Sequence, residues 1–480
     1  MLTMQSHAEI RAALADGAAA VFSGDDARMA QAATWLGSLS ARELLRVDGS
    51  ARSVLHGPTL GRSEQWTDKV LATSGIAGAA LGSMHYDGRV RERAVAVLER
   101  SADPLADQML AVRVTDHVPV IREAATRAVL ERVSLGQADR IAPLLHRIWS
   151  RWWGADVMPL YLRALTDAHG EDGAWARLRA SPDRDVRRTA FRHSLATGLL
   201  DIDAAVRALA RDRDRTVQGL LARHIANRAT RGEVAANLLR SGVAEARALG
   251  LVRLTAEQLD PADVERLLTD RSVLVRLWAR RRWQEQGRDP AVVYATVARG
   301  PAPAPVRARA YTGLAEAGVT VERDEVLGLV RSGSLPLAKT GLRLLAGRAA
   351  AQDVPLLLDV VRSGTARAAR MAVSILLEVP FAWSDDDLRE LSASADPALR
   401  RRAWWLRRGR GRLDEVIADL EIALDDDPGL AALGRSVSVP AYFDPTEAQR
   451  ARIADLLPRV WPDRWRTSEI AFAAGLSFPP

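Results

Sequence analysis

The chain has 480 residues, 48% of them hydrophobic, a formal net charge of +7 and no cysteine. The absence of cysteine excludes disulfides, thiolate nucleophiles and cysteine-ligated metals, and no apolar run reaches the length that spans a bilayer. All but two of the 67 basic residues, Lys69 and Lys339, are arginine. That excess follows either from genome composition or from selection for guanidinium groups that grip phosphate or carboxylate.

Residues 1–85 have a helical pattern interrupted at Gly49, Gly57, Pro58 and Gly61 and punctuated by Gly75, Gly78 and Gly82. They are expected to form an N-terminal cap of two to four helices. Residues 1–17 lack the basic-then-apolar order of a secretion signal, so a soluble, cytoplasmic protein with no membrane partner is expected.

Residues 86–408 carry a repeat, and the segment 181–195, SPDRDVRRTAFRHSL, is one copy of it. With Val186 as the anchor, Ala190, His193 and Ser194 fall on the same helical face, and Asp183 stands where an N-cap would. The same frame fits Val90, Ile121, Val217, Ala246, Val275, Val306, Leu337, Ala368 and Leu399, mostly 31 residues apart. Four residues after these anchors stand Ala or Gly in nine units of ten, where a second helix can approach closely. Periodicity of this length marks a solenoid, in which each repeat contacts only its neighbours.

Between 121 and 186 one copy is disguised. Residues 139–150 and 156–168 read as its helices, joined by Arg151-Trp152-Trp153-Gly154. Asp, Ser or Thr precedes most anchors by three residues, whereas Val118, Val243 and Pro303 predict helix starts with poorer caps. After Gly409 the pattern fades. Residues 409–480 are expected to form a C-terminal helical cap with a Trp- and Pro-rich tail, and 425–429 read as a loop.

The pattern D-x-x-V-R-x-x-A-x-x-x-L, clearest in residues 87–98 (DGRVRERAVAVL), resembles the short HEAT-type repeat, also called the bilin-lyase-like HEAT repeat. The resemblance implies an all-α, right-handed α-α superhelix of about eleven short repeats with helical caps. It carries little about function, since such arrays serve unrelated tasks.

Three constellations bear on function. An arginine follows the anchor directly in seven units (Arg91, Arg122, Arg187, Arg247, Arg276, Arg307 and Arg400), where bonding to an Asp or carbonyl of the next turn is expected. Six residues after the anchor, on the side away from the core, stand Arg127, Arg192, Arg223, Arg281 and Arg343. Phe191, Tyr311 and Trp404 lie one place earlier, Trp405 sits beside Trp404, and Arg188 is expected to point outward with Phe191 and Arg192. In HEAT-like arrays the second helix of each pair lines the concave face. By that resemblance these residues would form an Arg/aromatic groove for an acidic protein or peptide, or for nucleic acid; the other reading is a solvated helix face.

The third group is Trp152, Trp153 and Asp156, with Arg187-Arg188 in the next unit. It resembles the HEAT-like DNA alkylation-repair glycosylases. There the Asp would stabilise a cationic sugar and the Arg pair would hold backbone phosphate, which makes Asp156 the catalytic candidate under that alternative. The structural alternative makes the tryptophans core filler and Asp156 an N-cap. No metal or cofactor is expected, and the oligomeric state is not encoded in any of these patterns. The favoured expectation is a non-enzymatic scaffold, with a DNA-binding protein as the alternative.

Overall fold

A computed structural model describes residues 6–55, 63–67, 71, 75–149, 156–379, 382–435, 445–462 and 469–476. Among them there is no strand, and successive helices pair with their neighbours in sequence, as an all-α solenoid requires. The chain divides into two units, Met1–Arg253 and Leu254–Pro480.

The first unit starts with helices His7–Ser23, Asp26–Ser38 and Ala41–Val54. Ser6 and Ser40 each close a capping box with the glutamate three residues on, which satisfies two orphan backbone donors at once. The Gly/Ala-rich helix Gly75–Ser83 packs on the first two of these. The approach is close: a Cβ on Gly17 would stand 3.2 Å from Ala32 Cβ and 3.3 Å from Leu81 Cδ1. Pairs then follow, Gly75–Ser83 with Gly88–Arg100, Pro104–Arg113 with Pro119–Glu131, and Ile202–Arg211 with Arg215–Arg228.

The disguised copy is resolved as Leu135–Ile148, with Pro143 inside it, and Val157–Arg179. Gly170, at φ 71° and ψ 160°, divides the latter in two. A non-glycine residue rarely adopts that backbone. Trp175, beyond the break, stacks on His193 at 3.8 Å, so the second part serves as first helix to Arg184–Thr197.

In the second unit the pairs are Pro261–Leu268 with Val273–Glu285, Pro290–Arg299 with Ala304–Glu316, Arg323–Arg331 with Leu335–Leu345, Val354–Ser363 with Ala366–Leu376, and Asp385–Ser392 with Pro397–Arg408. Arg412–Ile422 and Glu447–Val460 follow and pack on each other.

The repeat arithmetic determines this packing. Eight of the ten anchors are buried, Val306 and Leu399 being half-buried, and every residue four places on is buried. At Gly341 an added Cβ would stand 2.9 Å from Val330 N and 3.0 Å from Leu329 Cβ, so here only glycine fits the helix crossing. Asp87, Asp183, Asp214, Thr365 and Asp396 cap their helices as expected, and Val118 and Pro303 provide no side-chain cap. Ser272 and Ser334 differ from expectation and make no cap bond.

Candidate binding surface

The arginine after each anchor belongs to the frame. Arg91 Nη1 donates to the carbonyls of His85 and Tyr86 at 3.0 and 2.8 Å, six and five residues back. Its Nε and Nη2 donate to Asp116, 25 residues ahead, at 2.8 and 3.0 Å. Arg187 repeats this with Ser181, Pro182 and Asp212, and Arg400 with Ser394, Ala395 and Asp425. Arg122, Arg247 and Arg276 keep the carbonyl six back, as does Gln218, which replaces the arginine after Val217.

The acid that receives the arginine is a position that the sequence patterns left unread. Five residues before the anchor stands Asp or Ser in eight of the ten units. Its side chain accepts the backbone N–H two residues on, for example at Asp116, Ser181, Asp212, Ser241, Asp270, Ser332 and Ser394. Such residues mimic a backbone turn with their own side chains. Asp425 and Asp427 do the same, and Asp427 Oδ1 then accepts from Gly429 and Leu430 N–H, Leu430 being 31 residues past Leu399. The stretch that read as a loop is thus one more repeat junction.

The first unit adds a buried charge cluster to this pattern. Arg113 bonds both Asp116, at 3.3 Å, and Asp48 of helix Ala41–Val54, tying the N-terminal helices to the repeats. Burial alone would raise the Asp116 pKa, but the Arg91 and Val118 bonds and the two guanidinium charges outweigh it and hold the carboxyl below its ordinary value. Asp214 is lowered in the same way against its burial, by Arg188 and two backbone N–H groups, and Asp425 is lowered by Arg400. A depressed folded-state pKa contributes stability that is present above the unfolded value, about 4, and is lost as pH falls through the folded value. The thermal midpoint, followed by circular dichroism, is therefore expected to drop below about pH 4. Asp425→Asn is expected to flatten that drop, and an unchanged slope would remove Asp425 from the account.

The five arginines six places after the anchor, Arg127, Arg192, Arg223, Arg281 and Arg343, are all exposed. Their ties are loose. Arg127 lies 3.8 Å from Glu99 and Arg223 3.6 Å from Glu245, with side chains 63% and 54% exposed. Arg281 pairs with Glu285 one turn on, at 3.0 Å, and its guanidinium lies 5.4 Å from the Trp278 ring centroid. In the first unit, Arg192 and Arg223 sit on adjacent packed helices. In the second, helix Val273–Glu285 also exposes Val273, Leu274 and Leu277 on its solvent side.

The aromatic half of the expected groove is corrected. Phe191, Tyr311 and Trp404 are buried, at 5%, 3% and 6% exposure. Tyr311 donates to Glu325 at 2.7 Å and Trp404 Nε1 to Asp419 at 2.8 Å. The reason is geometric. A residue five places after the anchor lies about 140° round the helix, and a helix held between two neighbours buries more than a single stripe. Trp405, one place further, is exposed. Arg188 is also not free, since Nη2 and Nε donate to Asp214 at 2.8 and 3.1 Å.

Trp152 and Trp153 lie outside the described residues. Asp156 occupies the N-cap position of Val157–Arg179 without a capping bond from its side chain. It shares an open depression with Arg122, Arg127 and Leu160, so the structure does bring Asp156 and Arg127 together. The Arg pair of the next unit is elsewhere engaged, Arg187 with Asp212 and Arg188 with Asp214. Among the described residues no group of three His, Asp or Glu side chains converges as metal ligands would, and no helix is long and apolar enough to cross a membrane. Compared with known proteins, the chain matches no family model and no curated sequence.

Proposed function

We propose that this chain is a non-enzymatic scaffold of the HEAT-like kind, which binds an acidic partner protein or peptide on the outward sides of its second helices. The observation that carries this reading is the division of labour among the arginines. Those that follow the anchor are absorbed into the junctions, whereas the five at the sixth position remain exposed, and the ties of Arg127, Arg223 and Arg281 are weak or exchangeable. Exposed pairs at such distances contribute little and exchange readily with another carboxylate. Val273, Leu274 and Leu277 add an apolar strip beside Arg281, which suits an amphipathic segment carrying acidic side chains.

The exposed apolar strip of Val273, Leu274 and Leu277 beside Arg281 favours an amphipathic polypeptide over duplex DNA, whose phosphate backbone has no apolar face to set against it. The test is fluorescence anisotropy of the full chain with two labelled probes, an alternating Glu/Leu peptide and a DNA duplex. The peptide is expected to bind, and reversing Arg192 and Arg223 to Glu is expected to weaken it by about tenfold or more. Tight DNA binding that falls steeply with log salt, or a peptide affinity indifferent to the double reversal, would overturn the proposal.

A further inference from the structure

Seven residues before the anchor and eight after it, five of the ten units place buried apolar side chains, as at Val114 and Val129, Leu239 and Leu254, or Val361 and Leu376. In the unit anchored on Val186 the same places hold Arg179 and Ser194. Arg179 Nη1 donates to the fully buried Ser194 hydroxyl at 2.6 Å, and among the described residues this arginine forms no ion pair. The two other arginines at these places each hold an acid, Arg299 with Glu325 at 2.9 Å and Arg407 with Glu421 at 2.5 Å. A guanidinium drawn out of water without a carboxylate keeps its desolvation penalty. Burial accordingly pulls the Arg179 pKa below its ordinary value, against the raising charge of Asp172 further off. A costly departure inside a regular array marks a place where something other than the fold is served.

Arg179 lines a cleft of about 440 Å³ between the end of Val157–Arg179 and helix Ile202–Arg211. From the second helix, Arg207 and Arg211 line it one turn apart, both exposed and without an ion pair among the described residues. The one acid in the lining, Asp212, is already engaged by Arg187 at 3.3 Å and by the Asp214 N–H at 2.7 Å. The rest of the lining is apolar, made by Phe191, Leu200 and four alanines. Guanidinium groups from two helices with apolar surface between them suit a molecule with an anion at each end of a short aliphatic body. The planar guanidinium fork matches a carboxylate.

We propose that this cleft binds a short aliphatic dicarboxylate, one carboxylate on Arg179 and the other on Arg207 and Arg211, its methylenes over Phe191. The ligand supplies Arg179 with the acid that the chain withholds. None of the outward arginine row lines the cleft, so the site does not depend on the scaffold reading.

The experiment is isothermal titration of the full chain with glutarate and adipate, with hexanoate and inorganic phosphate as controls. The diacids are expected to bind at one site, at least about tenfold more tightly than hexanoate. Arg207→Gln is expected to lower that affinity by about tenfold, the loss that follows removal of one charge-assisted bond. Arg207 is on the surface, so an unchanged circular dichroism spectrum separates lost binding from lost fold. The double variant Arg179→Val/Ser194→Leu restores the pair found at Val330 and Leu345. It is expected to abolish diacid binding without lowering the thermal midpoint, since a buried unpaired charge is removed. A lower midpoint would make Arg179 part of the frame and overturn the site. Absence of saturable heat with both diacids, or binding that ignores the substitutions, would overturn it too. Inorganic phosphate binding as tightly as adipate would overturn the assignment of an aliphatic body.

Discussion

Asp116→Ala is expected to be among the most damaging single substitutions in the first unit. It strands Arg91, fully buried, and Arg113, nearly so, with part of their hydrogen bonding unmet. Removing one partner of a buried ion pair typically costs about 3–5 kcal/mol, because the remaining charge keeps its desolvation penalty. Urea denaturation followed by circular dichroism measures it. The equivalent change at Asp425 frees an Arg400 that is partly exposed and can reach water, so its cost is expected to be clearly smaller. Equal losses at the two positions would show that burial is not what separates them.

Gly341→Leu is the second large effect. The helix Leu335–Leu345 crosses Arg323–Arg331 so closely that even a methyl group at 341 would meet the backbone nitrogen of Val330. An overpacked crossing typically costs 1–3 kcal/mol, and about 3 kcal/mol is expected for leucine, with alanine intermediate. Gly328, in the facing helix, has open space at its Cβ. Gly328→Ala is therefore expected to stabilise by up to about 1 kcal/mol, the difference in helix propensity between the two residues. If both substitutions acted alike, the close approach at 341 would carry no energetic weight.

How far the sequence could be read depended on which physical rule each position obeys. Anchors and the small residues four places on obey helical periodicity, and period alone located them, Gly341 included. The fifth position was misjudged because periodicity describes one apolar stripe, whereas Phe191, Tyr311 and Trp404 answer to a second neighbour that no single-helix projection contains. The acid five places before the anchor was missed for another reason. It lies in a turn, where spacing says nothing about facing, and its only trace in the sequence is the recurrence of Asp or Ser at 116, 181, 212, 241, 270, 332 and 394. The helices of the disguised copy are legible in the sequence but its repeat frame is not, because Pro143 and Gly170 interrupt the helical pattern. The exposed arginine row was legible, but the glutamates that share it come from other turns and other helices, as Glu99 and Glu245 do.

The span of 25 residues between Arg91 and Asp116, Arg187 and Asp212, and Arg400 and Asp425 sets how opening would spread along the array. Where the clasp is present, one repeat cannot loosen without pulling charge from the turn of the next, so neighbours melt as a block. After Val217 the clasp is missing, since Gln218 brings no charge to offer. A one-dimensional stack comes apart first at its weakest couplings. In the first unit, then, opening is expected to be easier between Arg215–Arg228 and Ala244–Arg253 than at the clasped pair formed by Arg184–Thr197 and Arg215–Arg228.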